Sequence, residues 1–216
     1  MDARAWDERY AAAELVWSST PNQFVASELT GLEPGLALDV AAGEGRNAIW
    51  LADQGWQVTA LDFSLVGLDK GRALQERHER GRDLHIDWVH ADALLYDPGA
   101  TRFDLVVVAY LQLVADERRT AVRRAFDALR DGGTLLWVAH DLTNLTEGTG
   151  GPTSAEVLST ADDLLADLSD RPLRVVRAGR VARVVPANNP VHQHSGDEAD
   201  TAWDTLVRVV RQERDE

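Results

Sequence analysis

Two sets of residues in this chain are spaced to do chemistry. The first begins with the run LDVAAGEGRNA at 38–48. An apolar segment ends at Asp39, and Gly43 and Gly45 follow before the chain turns helical. Glycines at that spacing let the backbone turn tightly and approach a ligand closely. The free N–H groups of the helix behind them favour an anion. Asp62 lies nineteen residues after Gly43, directly behind Val58-Thr59-Ala60-Leu61. A carboxylate there can accept from both hydroxyls of a ribose. Asp92, in His90-Ala91-Asp92-Ala93, can take a base's exocyclic amine while the Ala93 N–H reaches a ring nitrogen. The second set is His140 and Asp141, just past another apolar run. Histidine titrates near neutrality and suits a general base.

The elements that must position these residues alternate in type. Leu36–Val40, Val58–Leu61, Ile86–Val89, Leu105–Ala109 and Thr134–Ala139 are short and rich in Val, Leu or Ile, the pattern of buried parallel strands. Between most of them lie helix-length segments: Arg46–Gln54 before Gly55, Leu65–Arg80 before Gly81, and Asp116–Arg130 with apolar residues at helical spacing. The alternation predicts an α/β fold, a doubly wound and mainly parallel seven-stranded sheet. Arg174–Val185 and Thr201–Val210 read as the last strands, one of them antiparallel, separated by a Pro- and Asn-rich loop; Thr160–Leu168 reads as the helix before them. At the front, Arg4–Val16 looks helical. Thr20-Pro21-Asn22-Gln23 matches a capping box with proline in the first turn, which predicts a helix from about Pro21 to Leu29. The expected organisation is one domain, with residues 1–32 as a helical cover and 33–216 as the sheet core.

The glycine loop fits two templates. Gly43-x-Gly45-x-x-Ala48 with Asp62 fits a dinucleotide site. Asp39-x-x-x-Gly43-x-Gly45, with an acid ending the second strand, resembles the S-adenosylmethionine (SAM) site of class I methyltransferases. Asp39 and Glu44 both flank the turn. Two like charges about 5 Å apart repel by roughly 3 kcal/mol at an effective dielectric of ~20, which weighs against two bound phosphates, although Arg46 relieves part of it. A zwitterion with a cationic sulfur tolerates those carboxylates. Further stretches resemble the same family: Phe103–Val108 its fourth strand, with Tyr110 and Leu111 past the end, and Leu129-Arg130-Asp131-Gly132-Gly133-Thr134-Leu135 its turn into the fifth, with Asp131 where proline is usual. The resemblance covers nearly the whole chain. It implies cofactor contacts at Asp39, Ala41, Gly43, Gly45, Arg46, Asn47, Asp62, Phe63, Ser64, Asp92, Ala93, Tyr110 and Leu111, and a catalytic base at His140. The rival reading of His140 is a residue that shapes the pocket or pairs with Asp141.

Composition narrows the partners. The 216 residues carry a formal net charge of −14 and no cysteine. Nucleic-acid binders normally present a basic face, so neither a nucleic acid nor an anionic membrane surface is expected. Lacking cysteine, the chain has no disulfide, thiol nucleophile or cysteine zinc site. Lys70 is the only lysine, which removes a Walker loop and a Tyr-x-x-x-Lys reductase pair. His192-x-His194 is too little for a metal site, and none is expected. Arg174, Arg177, Arg180 and Arg183 recur every three residues, a spacing that keeps no strand face and predicts a solvated surface. No segment reads as a signal peptide or membrane span, which predicts a cytoplasmic protein.

Trp6-Asp7-Glu8-Arg9-Tyr10, Thr20-Pro21-Asn22 and Gly45-Arg46-Asn47-Ala48 resemble small bacterial methyltransferases of the tellurite-resistance and thiopurine type. That resemblance implies SN2 transfer of a methyl group from SAM to a small-molecule acceptor at O, N, S or a metalloid, by a monomer or homodimer. In that family N-terminal helices cover the active site, so Trp6, Tyr10 and Trp17 read either as core or as its roof. Acceptor choice is expected from the N-terminal helices, Tyr110–Leu113, the His140–Gly151 segment as a mobile lid, and the Pro186–Gly196 loop. Two rival functions stay open on sequence grounds: an NAD-dependent oxidoreductase using the same loop, and a SAM-binding regulatory domain without chemistry.

Overall fold

The computed structural model describes residues 2–16, 18–99, 102–185 and 200–213; Trp17, His192, His194 and the 186–196 loop fall outside them. The chain runs α1 (Ala3–Ala11), α2 (Gln23–Leu29), β1 (Leu36–Val40), α3 (Arg46–Asp53), β2 (Gln57–Asp62), α4 (Leu65–Arg77), β3 (Ile86–His90), β4 (Phe103–Ala109), α5 (Ala115–Asp127), β5 (Leu129–His140), α6 (Asn144–Glu147), α7 (Ala161–Asp167), β6 (Leu173–Val185) and β7 (Asp200–Arg211). The seven strands lie in the order β3-β2-β1-β4-β5-β7-β6. Strands β1 to β5 pair in parallel, while β7 runs antiparallel to both β5 and β6. The order reverses between β1 and β4. An open α/β sheet leaves a crevice at the carboxyl ends of its strands there.

Both faces of the sheet are covered, which is why the central strands read as unbroken apolar runs. Alternate residues of β4 enter opposite cores. Val106 and Val108 pack with Phe126 of α5 and Leu164 of α7. Leu105 and Val107 pack with Val25 of α2 and Leu51 of α3. Deleting one such leucine to alanine costs about 2–5 kcal/mol in a close-packed core. Among the described residues no helix is long and apolar enough to cross a membrane.

Several element ends differ from the sequence reading, each for a tertiary reason. Helix α1 stops at Ala11, short of Val16, because Lys70 takes the Tyr10 and Ala13 carbonyls and Glu44 takes the Val16 N–H. Helix α2 is capped by Asn22, not Thr20: Asn22 Oδ1 accepts from the Phe24 and Val25 N–H groups, at 2.8 and 3.2 Å. Strand β5 starts at Leu129 rather than Thr134, through a register shift opposite Phe103–Leu105. Gly133 permits this, since a Cβ there would lie 2.8 Å from the Arg130 carbonyl and 2.9 Å from that of Phe103.

Candidate active site

The glycine loop leaves β1 through three left-handed residues, Ala41 (φ 58°), Gly43 (φ 57°) and Gly45 (φ 74°). Gly45 caps α3 without any side-chain bond, so the first turn of that helix faces the crevice with its own N–H groups. Asp62 holds the turn from across the sheet. Its Oδ2 accepts the Gly43 N–H at 2.8 Å and its Oδ1 the Ser64 N–H at 2.7 Å. Each oxygen keeps lone-pair capacity for a further donor. Burial raises the Asp62 pKa, and those two backbone bonds pull it back.

The other two carboxylates of the loop behave differently from their sequence reading. Asp39 is almost wholly buried beneath the loop, and its Oδ2 has no hydrogen-bond partner among the described residues. Burial, then the Asp62 charge, pushes its pKa up to about 7, against the opposing pull of Arg46 and the Ala48 N–H. Glu44 is turned toward the N-terminal segment, where it accepts the Val16 N–H and pairs with Lys70 at 3.2 Å. With one carboxyl partly protonated at neutrality and the other paired, the repulsion expected against phosphates is weaker than the sequence implied.

Helix α1 roofs the crevice. Asp7 accepts from the Ser64 hydroxyl at 2.5 Å and the Val66 N–H at 3.3 Å, which fixes α1 to the start of α4. Lys70 of α4 in turn holds the carbonyls at the end of α1. Trp6 and Tyr10, rings 5.5 Å apart, thereby line a cleft of about 780 Å³, part of it open to solvent. A Cβ on Gly43 would lie 2.5 Å from the Tyr10 hydroxyl.

The far wall comes from the end of β4. Tyr110 has φ 61°, a conformation that costs a non-glycine residue on the order of 1–3 kcal/mol. Its hydroxyl donates to Asp204 Oδ2 at 2.7 Å, and Arg183 donates to the same oxygen at 2.7 Å. The Tyr110 ring packs at 4.7 Å on His140. Burial raises the Asp204 pKa, but the contacts of His140 and Arg183 outweigh it and hold the carboxyl below its ordinary range. Burial, and then the Asp204 charge, pushes the Tyr110 hydroxyl far up.

Residues 37–133 match the profile of the Methyltransferase domain family. The chain carries a methyltransferase domain over those residues. A demethylmenaquinone methyltransferase from Renibacterium salmoninarum is 29% identical over 178 residues, 82% of this chain and 70% of that protein. A tRNA 5-carboxymethoxyuridine methyltransferase from Escherichia coli is 34% identical over 110 residues, 49% of this chain and 41% of its own length. The fold is shared with the N-methyltransferase NodS from Bradyrhizobium japonicum, solved with S-adenosylhomocysteine (SAH), at TM-score 0.68 and 20% identity, covering 99% of this chain and all of that one. It is shared also with TehB from Haemophilus influenzae, at TM-score 0.69 and 14% identity, covering 89% and 63%. SAM is the cofactor.

The methyltransferase fold brings together only part of the predicted set. Ala41, Gly43, Arg46 and Asn47 line the cleft from one side, and Asp62, Phe63, Tyr110 and Leu111 from the others. The rest stand outside its wall. Asp39 lies beneath the loop. At Gly45 the Cβ position is taken by the Trp88 ring, 2.2 Å away. Ser64 spends its hydroxyl on Asp7 and on capping α4. Asp92 turns into its own loop to accept the Leu94 N–H at 2.8 Å, and Ala93 packs against the core.

His140 does not line the cleft either. Its side chain is 11% exposed, and Nδ1 sits 3.3 Å from Asp204 Oδ1 but out of line for a hydrogen bond. It lies against the Tyr110 ring, which does line the cleft. Its expected partner Asp141 instead accepts from Thr143 and Thr205.

Two further expectations change. The 140–151 segment is pinned: Asn144 accepts the Trp203 N–H at 2.7 Å and donates to the Gly150 carbonyl at 2.8 Å, and Thr149 donates to the Thr201 carbonyl. It is not built as a free lid. The β6 arginines are not merely solvated. Arg177 pairs with Glu28, Arg180 with Glu147 and the Trp203 ring, and Arg183 with buried Asp204. Asp204 and Lys70 were missed as contributors because no motif marks them, and Arg183 was read as surface. A signal existed only for Lys70, the chain's one lysine.

Proposed function

We propose that this methyltransferase acts on a small molecule, and that the cleft under α1 holds both SAM and that acceptor. The observation that carries the reading is the roof. Trp6 and Tyr10 roof the cleft through bonds anchored on Asp7 and Lys70, which leaves a covered pocket with an open mouth and not a long track for a polymer. The charge of −14 supports it, since an RNA acceptor calls for a cationic face. The relative that spans most of this chain is, by its name, a demethylmenaquinone methyltransferase, whereas the tRNA-modifying relative matches about half of it.

The residues fit the cofactor. Asp62 has an open lone pair on each oxygen for the ribose hydroxyls. Arg46, half-buried in the cleft wall with its pKa lowered first by desolvation, suits the carboxylate of the methionine end, beside the first turn of α3. The bound sulfonium supplies the methyl group, and the residues around it exclude water and hold donor and acceptor in line. The narrower likeness to tellurite-resistance and thiopurine enzymes is part of this proposal and points to a soft acceptor such as a thiol or metalloid oxyanion.

Calorimetry with SAH, followed by a turnover panel of thiols, phenols, amines, oxyanions and a tRNA fraction, tests the reading. Micromolar SAH binding with methylation confined to small molecules is expected. Methylation of the tRNA fraction alone would overturn the acceptor class.

A further inference from the structure

Tyr110, like Ala41 across the cleft, holds a left-handed backbone without being glycine, and its surroundings fix it. Its N–H continues the sheet by donating to the Val138 carbonyl at 2.8 Å. Its hydroxyl donates to Asp204, and Arg183 donates to the same carboxylate oxygen. The ring is backed by His140. Residues from three strands, β5, β6 and β7, thus converge on one side chain. What the arrangement accomplishes is to fix the plane of a ring.

The ring's place in the sheet says what it faces. Asp62 ends β2 and Tyr110 follows β4, with β1 between them, pairing Val40 to Leu61 on one side and to Val108 on the other. Neighbouring strands lie about 4.8 Å apart, so the two side chains flank the cleft roughly 10 Å from each other. With the ribose on Asp62, a step that rests on the cofactor reading above, the sulfur end extends toward β4. We propose that Asp204 is a positioning residue for methyl transfer: through the Tyr110 hydroxyl it fixes the ring as the wall facing the transferable methyl group, with Arg183 and His140 holding the carboxylate.

The test needs no acceptor. SAM carrying a ¹³C methyl group is bound to the full chain and its methyl resonance followed by NMR, with SAH affinity measured alongside. An aromatic face against the methyl shifts its resonance. Tyr110→Leu removes that contribution. Tyr110→Phe and Asp204→Asn keep the ring but loosen it, so each partly averages the shift. The double variant moves the resonance no further than Tyr110→Phe alone, because Asp204 acts through that hydroxyl. If Asp204→Asn does not fold, Tyr110→Phe, which leaves the Asp204–Arg183 pair intact, carries the test. A resonance indifferent to Tyr110→Leu overturns the proposal. So does one that moves in Tyr110→Leu yet matches wild type in Tyr110→Phe. A wild-type chain that binds neither SAM nor SAH brings down the cofactor reading itself.

Discussion

The two sides of the cleft are built by opposite means. On the β1–β2 side the backbone does the work: left-handed glycines, a helix start and one carboxylate, all within residues 39 to 64, make the turn. On the β4–β5 side side chains do it, drawn from positions as far apart as Tyr110 and Asp204. A backbone cradle is a local property, so a short motif records it. A side-chain clamp is a property of the packed sheet, and its members carry no mutual spacing. The first side suits a cofactor common to a whole family. The second is where acceptors can differ between relatives without disturbing the cradle.

Substitutions separate the two sides, and the largest effect falls on the clamp. Asp204→Ala strips a buried carboxylate from Arg183 and Tyr110 and is expected to destabilise the fold by about 3–5 kcal/mol, the cost of leaving buried partners unpaired. Chemical denaturation measures it, and a loss below about 1 kcal/mol would mean the clamp is ornamental. Gly45→Ala attacks the cradle instead. A Cβ 2.2 Å from Trp88 at φ 74° combines overpacking with a disfavoured dihedral, for a loss of about 2–4 kcal/mol, readable as a fall in melting temperature.

Asp62→Ala is expected to weaken SAH binding by about 1–3 kcal/mol, through unpaired ribose hydroxyls and a loosened Gly43 turn. Unchanged calorimetric affinity would remove Asp62 from the site. Asp39→Asn tests electrostatics beneath the cradle. The folded pKa of Asp39, about 7, lies above the ordinary 3.8, so the folded state holds a proton that the unfolded chain has lost. Its contribution therefore declines as pH rises from about 4 to 7 and levels off above that. The amide variant should gain stability relative to wild type across that window, with the two converging toward pH 4. Parallel melting curves that never diverge would contradict the shift.

The smallest effect contrasts two arginines of one strand. Arg177→Ala removes a half-exposed arginine from Glu28, which keeps Arg208 at 3.6 Å, and should change stability by about 0–1 kcal/mol. Arg183→Ala, which leaves buried Asp204 short of a partner, should cost several times more in the same denaturation experiment. Equal losses would erase the distinction between surface and clamp.

Much of this division was legible beforehand. Period and composition marked the strand runs β1 to β5, because strands buried on both faces are apolar throughout. Asp39-x-x-x-Gly43-x-Gly45 and Asp62 marked the cradle, because tight turns and strand ends leave glycines and acids at set intervals. The start of α2 was misplaced by two residues, since Asn22 owes its role as cap partly to Asn47 of α3. The end of α1 was placed too late, since Lys70 and Glu44 take over its carbonyls and Val16 from another element. His140 reads as a base because it follows a strand at the ligand edge, and the structure sets its ring 4.7 Å from that of Tyr110.

The linear chain by itself therefore determined the wound sheet, the glycine turn and the acid beside it, since each follows from local periodicity or from a fixed interval along the backbone. Only the folded arrangement decided that Glu44 is neutralised by the sole lysine, that Asp39 is left under the loop without a second partner, and that Tyr110 is locked by Asp204. Those outcomes depend on which distant side chains share one buried volume, where desolvation makes every pairing consequential, and no interval in the sequence encodes that proximity.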